Sequence, residues 1–157
     1  MQKFMGENKK NISIGNRILS SQEEIPTPPP PGFISSFKTV CEWLSNICDT
    51  NQPEKSISEF RFLLFESSEN NLLCIAGYNT YREKDFDDAR VDFKPSNMFF
   101  PLPKDEYQNL SLEQVRKRVL NELIDFTKSS KFQNSFLAHG KSITINFAGE
   151  IWPKNIS

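Results

Sequence analysis

The stretch EFRFLLFESSENNLLCIAGYNTY, residues 59–81, decides how the chain is read. It holds two apolar runs separated by a polar break. Phe60, Phe62 and Leu64 alternate with Arg61, Leu63 and Phe65, the period of a β-strand, so both faces carry apolar residues, with Arg61 expected at the strand's edge. The break, Glu66 to Asn71, is rich in Ser and Asn, which hydrogen-bond their own backbone and tolerate turns. Leu72 to Tyr78 is apolar again. This pattern predicts a β-hairpin with a loop longer than two residues, placed centrally because both faces read as buried.

Outward from that hairpin, the N-terminal side is irregular. Residues 1–10 are polar, and Asn11–Ser20 has the apolar spacing of one short edge strand interrupted at Gly15. Ser21–Pro31 is a connector whose proline run favours a stiff polyproline spacer and cannot donate to a sheet. Residues 1–32 are therefore expected to be a flexible, proline-rich segment preceding one domain over 33–157. A helix is predicted over 35–50, capped by Ser35 or Ser36. Phe37, Val40, Cys41, Leu44, Ile47 and Cys48 form its apolar stripe, Trp43 sits at the stripe's edge, and Asn51 and Pro53 end it.

On the C-terminal side, residues 79–95 mix charges around Phe86 and Phe93 and read as a loop. Met98 to Leu102 reads as a short edge strand, with Pro101 limiting its pairing. Pro103–Leu110 reads as a loop. Ser111-Leu112-Glu113-Gln114 is a capping box, and it opens a helix over 111–128 with Leu112, Val115, Val119, Leu123 and Phe126 on one side. Residues 141–147 alternate, Ile143, Ile145 and Phe147 inward and Ser142, Thr144 and Asn146 outward. The expected fold class is α+β: a mostly antiparallel sheet of four to five strands with two main helices packed on one face.

Composition narrows function mainly by exclusion. The chain has 157 residues, enough for a core that needs neither metal nor disulfides, and its 14 phenylalanines are expected to fill it. A net charge of −1 gives no whole-chain field for nucleic acid or anionic lipid. Cys41, Cys48 and Cys74 lie in apolar stretches and read as buried free thiols of a reducing cytosol. No apolar run approaches the roughly 18 residues of a membrane helix, and no signal-peptide core is seen at the N-terminus. A cytoplasmic protein is expected.

His139 is the lone histidine, which leaves no His-rich zinc site and a single base for any Cys–His pair. Phosphate-binding glycine loops, a nucleophile elbow and an HExxH helix are all missing from the sequence. Neither a cofactor nor a metal is expected. Arg116-Lys117-Arg118 is a basic run without interleaved aromatics, a poor platform for nucleic acid. Residues 83–92 hold five acidic and two basic residues but lack the glycine and terminal Glu of a calcium loop. They read as a solvated loop or as an acidic surface for a basic protein partner, with Phe86 as an apolar anchor.

Taken in order, FKTVCEWLSNIC, FRFLLFES, IAGYNTY, VDFKPSNMFFPLP, LSLEQVRKRVLNELIDF and SITINFAGEIW resemble the small single-domain immunity proteins that bacteria encode beside polymorphic or contact-dependent toxins. The likeness spans roughly residues 33–152. One departure is Ala148-Gly149-Glu150, where an Asp-Gly-type turn is expected. The resemblance implies a non-enzymatic cytosolic protein that neutralises one cognate toxin by binding it. On that reading the partner-facing candidates are Tyr81, Asp85, Phe86, Asp87, Asp88, Asp92 and Trp152. The rival readings are a general interaction or adaptor module and a small enzyme with an unmarked site.

Overall fold

The computed structural model describes residues 26–30, 32–66, 71–83 and 86–153, and over 80–83 and 86–90 it describes the backbone alone. The expected strand at Asn11–Ser20 lies outside the described residues.

The central hairpin forms as its alternation predicts. Strand β1 (Glu59–Phe65) runs antiparallel to β2 (Leu72–Glu83), with Phe62 opposite Ile75 and Leu64 opposite Leu73. On β1 every second residue, Phe60, Phe62 and Leu64, is buried, while the alternate face is half-buried. Arg61 is not at the strand's edge. It lies on that second face, 4.4 Å from the centre of the Tyr78 ring and 3.1 Å from Glu59. Strand β2 is buried on both faces from Leu73 to Tyr78. Gly77 permits this, since a Cβ there would stand 2.9 Å from Ile57 Cγ2 and 3.0 Å from Phe93 Cβ.

Residues 79–83 and 86–93 are strand, not the expected loop. β2 continues to Glu83, and β3 (Phe86–Phe93) returns along it, with Tyr81 opposite Asp88 and Glu83 opposite Phe86. Charged residues are weak strand formers, so the sequence pattern concealed a segment that hydrogen bonds hold extended. The short strand β4 (Phe99–Pro101) pairs with the first residues of β2, in line with its expected edge position.

The main helices are α1 (Val40–Thr50) and α3 (Leu112–Thr127). The first starts later than expected: Thr39, not Ser35 or Ser36, caps it by accepting from the Glu42 amide at 3.0 Å. Trp43 is not at the stripe's edge but fully buried, stacked on Phe100 at 5.3 Å, with its Nε1 donating to the Asn97 carbonyl at 2.6 Å. Asn97 has a φ of 61°, a left-handed position that asparagine tolerates, and this turns its carbonyl toward the indole. The capping box of α3 is present in both directions, Ser111 N to Gln114 Oε1 at 2.8 Å and Gln114 N to Ser111 Oγ at 3.2 Å. Val115, Val119, Leu123 and Phe126 are buried, whereas Leu112 is exposed. Residues 103–110 contain a one-turn helix, α2 (Lys104–Tyr107), in place of the expected loop. Another short helix, α4 (Ser130–Gln133), and a 3-10 turn (Phe136–His139) follow α3.

The last two strands change the sheet's character. β5 (Ser142–Ile145) lies parallel to β1, with Phe60 opposite Ile143 and Phe62 opposite Ile145. β6 (Gly149–Trp152) folds back on β5 through a turn in which Gly149 has a φ of 77°. Asn146 extends the parallel ladder with its side chain, which accepts from Leu64 N at 3.0 Å and donates to Leu64 O at 3.3 Å. The sheet of the described residues is thus mixed, six-stranded, in the order β3-β2-β1-β5-β6 with β4 beside β2. The α+β class holds, and the expected mostly antiparallel sheet of four to five strands becomes a mixed one. A single apolar cluster joins α1, α3 and one face of the sheet through Trp43, Ile47, Val119, Leu123, Phe60 and Ile143. The thiols do not form a uniform buried set: Cys41 is exposed, Cys48 is half-buried, and burial pushes Cys74 up to about 12.

Candidate functional site

Two regions at opposite ends of β2 stand out. At its C-terminal end, pairing with β1 stops at Glu59 opposite Tyr78. From Asn79 to Glu83, β2 pairs among the described residues with β3 alone, which makes a two-stranded arm. An isolated hairpin is marginally stable in water, so the arm depends on its root. Asn79 supplies it: its Oδ1 accepts from Ser58 N at 2.7 Å and its Nδ2 donates to Ser56 O at 3.1 Å. Asp92 completes the root, accepting from Asn79 N at 3.0 Å through one oxygen and from Lys55 Nζ at 3.1 Å through the other.

The arm gathers most of the expected partner-facing residues. Tyr81 lies on β2, and Phe86, Asp87, Asp88 and Asp92 lie on β3, while Asp85 lies outside the described residues. The register sets Arg82 opposite Asp87 and Tyr81 opposite Asp88. The Asp92 side chain is only 12% exposed, and both of its oxygens bond at the root of the arm. Trp152 is not brought to the arm. It ends β6 at the opposite edge of the sheet, half-buried and edge-on to Phe132 at 5.1 Å.

The other region went unnoticed in the sequence. α2 and α3 enclose a cleft of about 430 Å³ against the start of α1. Its apolar lining comes from Val40, Phe100, Pro103 and Phe126. On one wall the Arg118 guanidinium lies 4.6 Å from the centre of the Tyr107 ring. Arg118 also bonds Glu106 Oε1 at 2.6 Å and Glu122 Oε2 at 3.2 Å. Tyr107 donates its hydroxyl to Glu122 Oε2 at 3.0 Å. Burial raises the Tyr107 hydroxyl well above its ordinary value, and the charge of Glu122 adds to this. Cys41, Lys38 and Asp125 also line the cleft. The Arg118–Glu122 spacing of four residues was the available signal, but Tyr107 sat in a stretch read as loop.

A wider groove, about 1070 Å³, runs between Pro28–Pro30 and the end of the sheet at Phe65, Leu72 and Pro101. Phe33 and Ile34 stand exposed beside it. The basic run on α3 is largely engaged by acidic partners: Arg116 bonds Glu66 at 2.6 and 3.0 Å, and that hydrogen bond holds the Glu66 carboxyl below its usual range. His139 is exposed at the end of the 3-10 turn and lines neither of these clefts. Among the described residues no three His, Cys, Asp or Glu side chains meet as a metal-binding group, and no helix is long and apolar enough to cross a membrane. Compared with protein-family models, curated proteins and solved structures, the chain matches none of them.

Proposed function

We propose that the protein is a cytosolic immunity protein that binds and neutralises a cognate bacterial toxin, and that it grips the toxin with the β2–β3 arm. One observation carries this reading: backbone pairing runs on from Asn79 to Glu83 past the last β1 pair, and the extension bears Glu83, Phe86, Asp87 and Asp88. Hydrogen bonding to the partner strand holds these residues extended, so an acidic strand is presented at lower ordering cost than an acidic loop. A toxin that acts on nucleic acid needs a basic surface, and an acidic arm accelerates encounter with such a surface and selects against acidic partners. Phe86 supplies the apolar element that a tight contact requires. The inhibitor needs no chemistry of its own, because occluding an interface of roughly 1,600 Å² is sufficient.

The test is co-purification with the product of the adjacent reading frame, together with rescue of growth when both are expressed. A stable complex and rescue are expected. Reversal of charge in an Asp87→Lys, Asp88→Lys double variant should weaken the complex and flatten its salt dependence. A complex whose affinity and salt response ignore that change would remove the arm from the interface, and absence of any complex would remove the toxin reading.

A second reading, a general interaction module, draws on the exposed Phe33 and Ile34 beside the proline run. It predicts that Phe33→Ser with Ile34→Ser abolishes partner binding while the arm variant leaves it intact.

A further inference from the structure

We propose that the cleft between α1, α2 and α3 is a binding site for a small organic monocation, an amidinium or ammonium group on a single aromatic or aliphatic ring. Phe100 in the cleft's lining pairs with Leu73 of β2, about 20 Å along the strand from Asn79, where the arm begins, so the inference stands apart from the toxin reading. Three observations carry it.

The first is shape. A volume of about 430 Å³ falls within the range of ligand pockets, and the lining combines an apolar floor with a few convergent polar groups. Val40, Phe100, Pro103 and Phe126 come from separate elements and form that floor, which suits one ring.

The second is charge. Arg118 is the cation deepest in the bonding network, and it is engaged by both Glu106 and Glu122. Glu122 uses only Oε2 for Tyr107 and Arg118, and its Oε1 makes no hydrogen bond among the described residues. Asp125 follows on the next turn of α3, and its carboxylate has no ion-pair partner among the described residues. Lys38 also lines the cleft and makes no ion pair among the described residues. The charged lining residues, Glu106, Glu122 and Asp125 against Lys38 and Arg118, leave one negative charge unbalanced. A cation restores neutrality there, whereas an anion would meet two under-used carboxylates.

The third is pre-organisation. Arg118 stacked on Tyr107, with both tied to Glu122, fixes the wall before any ligand arrives, so little side-chain freedom is lost on binding.

Cys41 provides the readout. It is the exposed thiol lining the cleft, whereas Cys48 is half-buried and Cys74 fully buried. Modification of the full chain by N-ethylmaleimide should therefore show a fast phase that a Cys41→Ser variant abolishes. Benzamidine is expected to slow this phase with a dissociation constant on the order of 1–10 mM, the range for so few heavy atoms. Benzoate and benzyl alcohol at equal concentration should leave it unchanged. Asp125→Asn, at an exposed position, should weaken protection by about threefold, and Lys38→Ala should strengthen it by a similar factor. Chemical shifts in a heteronuclear titration should move at residues 38–41 and 122–126. Equal protection by all three probes, protection indifferent to Asp125 and Lys38, or no protection by benzamidine would overturn the proposal.

Discussion

The two halves of β2 share one strand and differ in almost everything else. From Leu73 to Tyr78 the strand is buried on both faces, with β1 on one side and β4 or β3 on the other. From Asn79 to Glu83 it pairs, among the described residues, with β3 alone. The first half draws its stability from packing, so its backbone is extended whatever the charge of distant residues. Among the described residues the second half has strand hydrogen bonds on one side only, and Asn79, Asp92 and Lys55 tie it down at the root. A strand can therefore serve as core at one end and as a presented surface at the other, provided that a polar clasp marks the transition.

That contrast predicts a graded set of responses. The largest belongs to the buried half. Trp43 packs on Phe62 and Phe100 beneath β2 and has no exposed surface. Trp43→Ala should cost about 3–5 kcal/mol in urea unfolding, and the arm should be lost with the body. Next comes Cys74, which burial pushes from an ordinary thiol value near 9 up to about 12. A raised value means that the folded state keeps the proton after the unfolded chain has released it. The stabilisation is fully present below pH 9 and declines as pH rises toward 12, by about 1.4 kcal/mol per pH unit for this one group. Urea midpoints measured from pH 8 to 11 should fall in the parent chain and fall less steeply in Cys74→Ala.

The smallest of the three effects falls at the clasp. Asn79→Ala leaves Ser58 N and Ser56 O without their side-chain partner and should cost about 1–2 kcal/mol. Amide exchange should quicken across 79–92 while Leu73 to Tyr78 keeps its protection. If instead both halves of β2 opened together, the two would be one cooperative unit and the distinction between them would fail.

Much of the architecture was legible because its signals are local. The alternation at Phe60, Phe62 and Leu64 and the capping box at Ser111 and Gln114 depend on residues at most a few positions apart. They specified the central hairpin, the second helix and the α+β class. The start of α1 was misplaced because Ser35, Ser36 and Thr39 are all competent caps; Thr39 takes the cap at the Glu42 amide, while the Ser35 hydroxyl accepts from Phe37 N at 3.0 Å ahead of the helix.

What the sequence determined by itself was the set of elements whose period and caps are self-contained. Only the tertiary structure decided that β5 lies parallel to β1, that a charged stretch becomes the outer strand of an arm, and that Tyr107, Arg118 and Glu122 meet beside a cleft. Parallel and antiparallel strands with one buried face share the same alternation, so pairing direction leaves no mark in the sequence. A charged residue stays extended when a neighbouring strand hydrogen-bonds its backbone, and that neighbour is supplied by the fold, not by the residue.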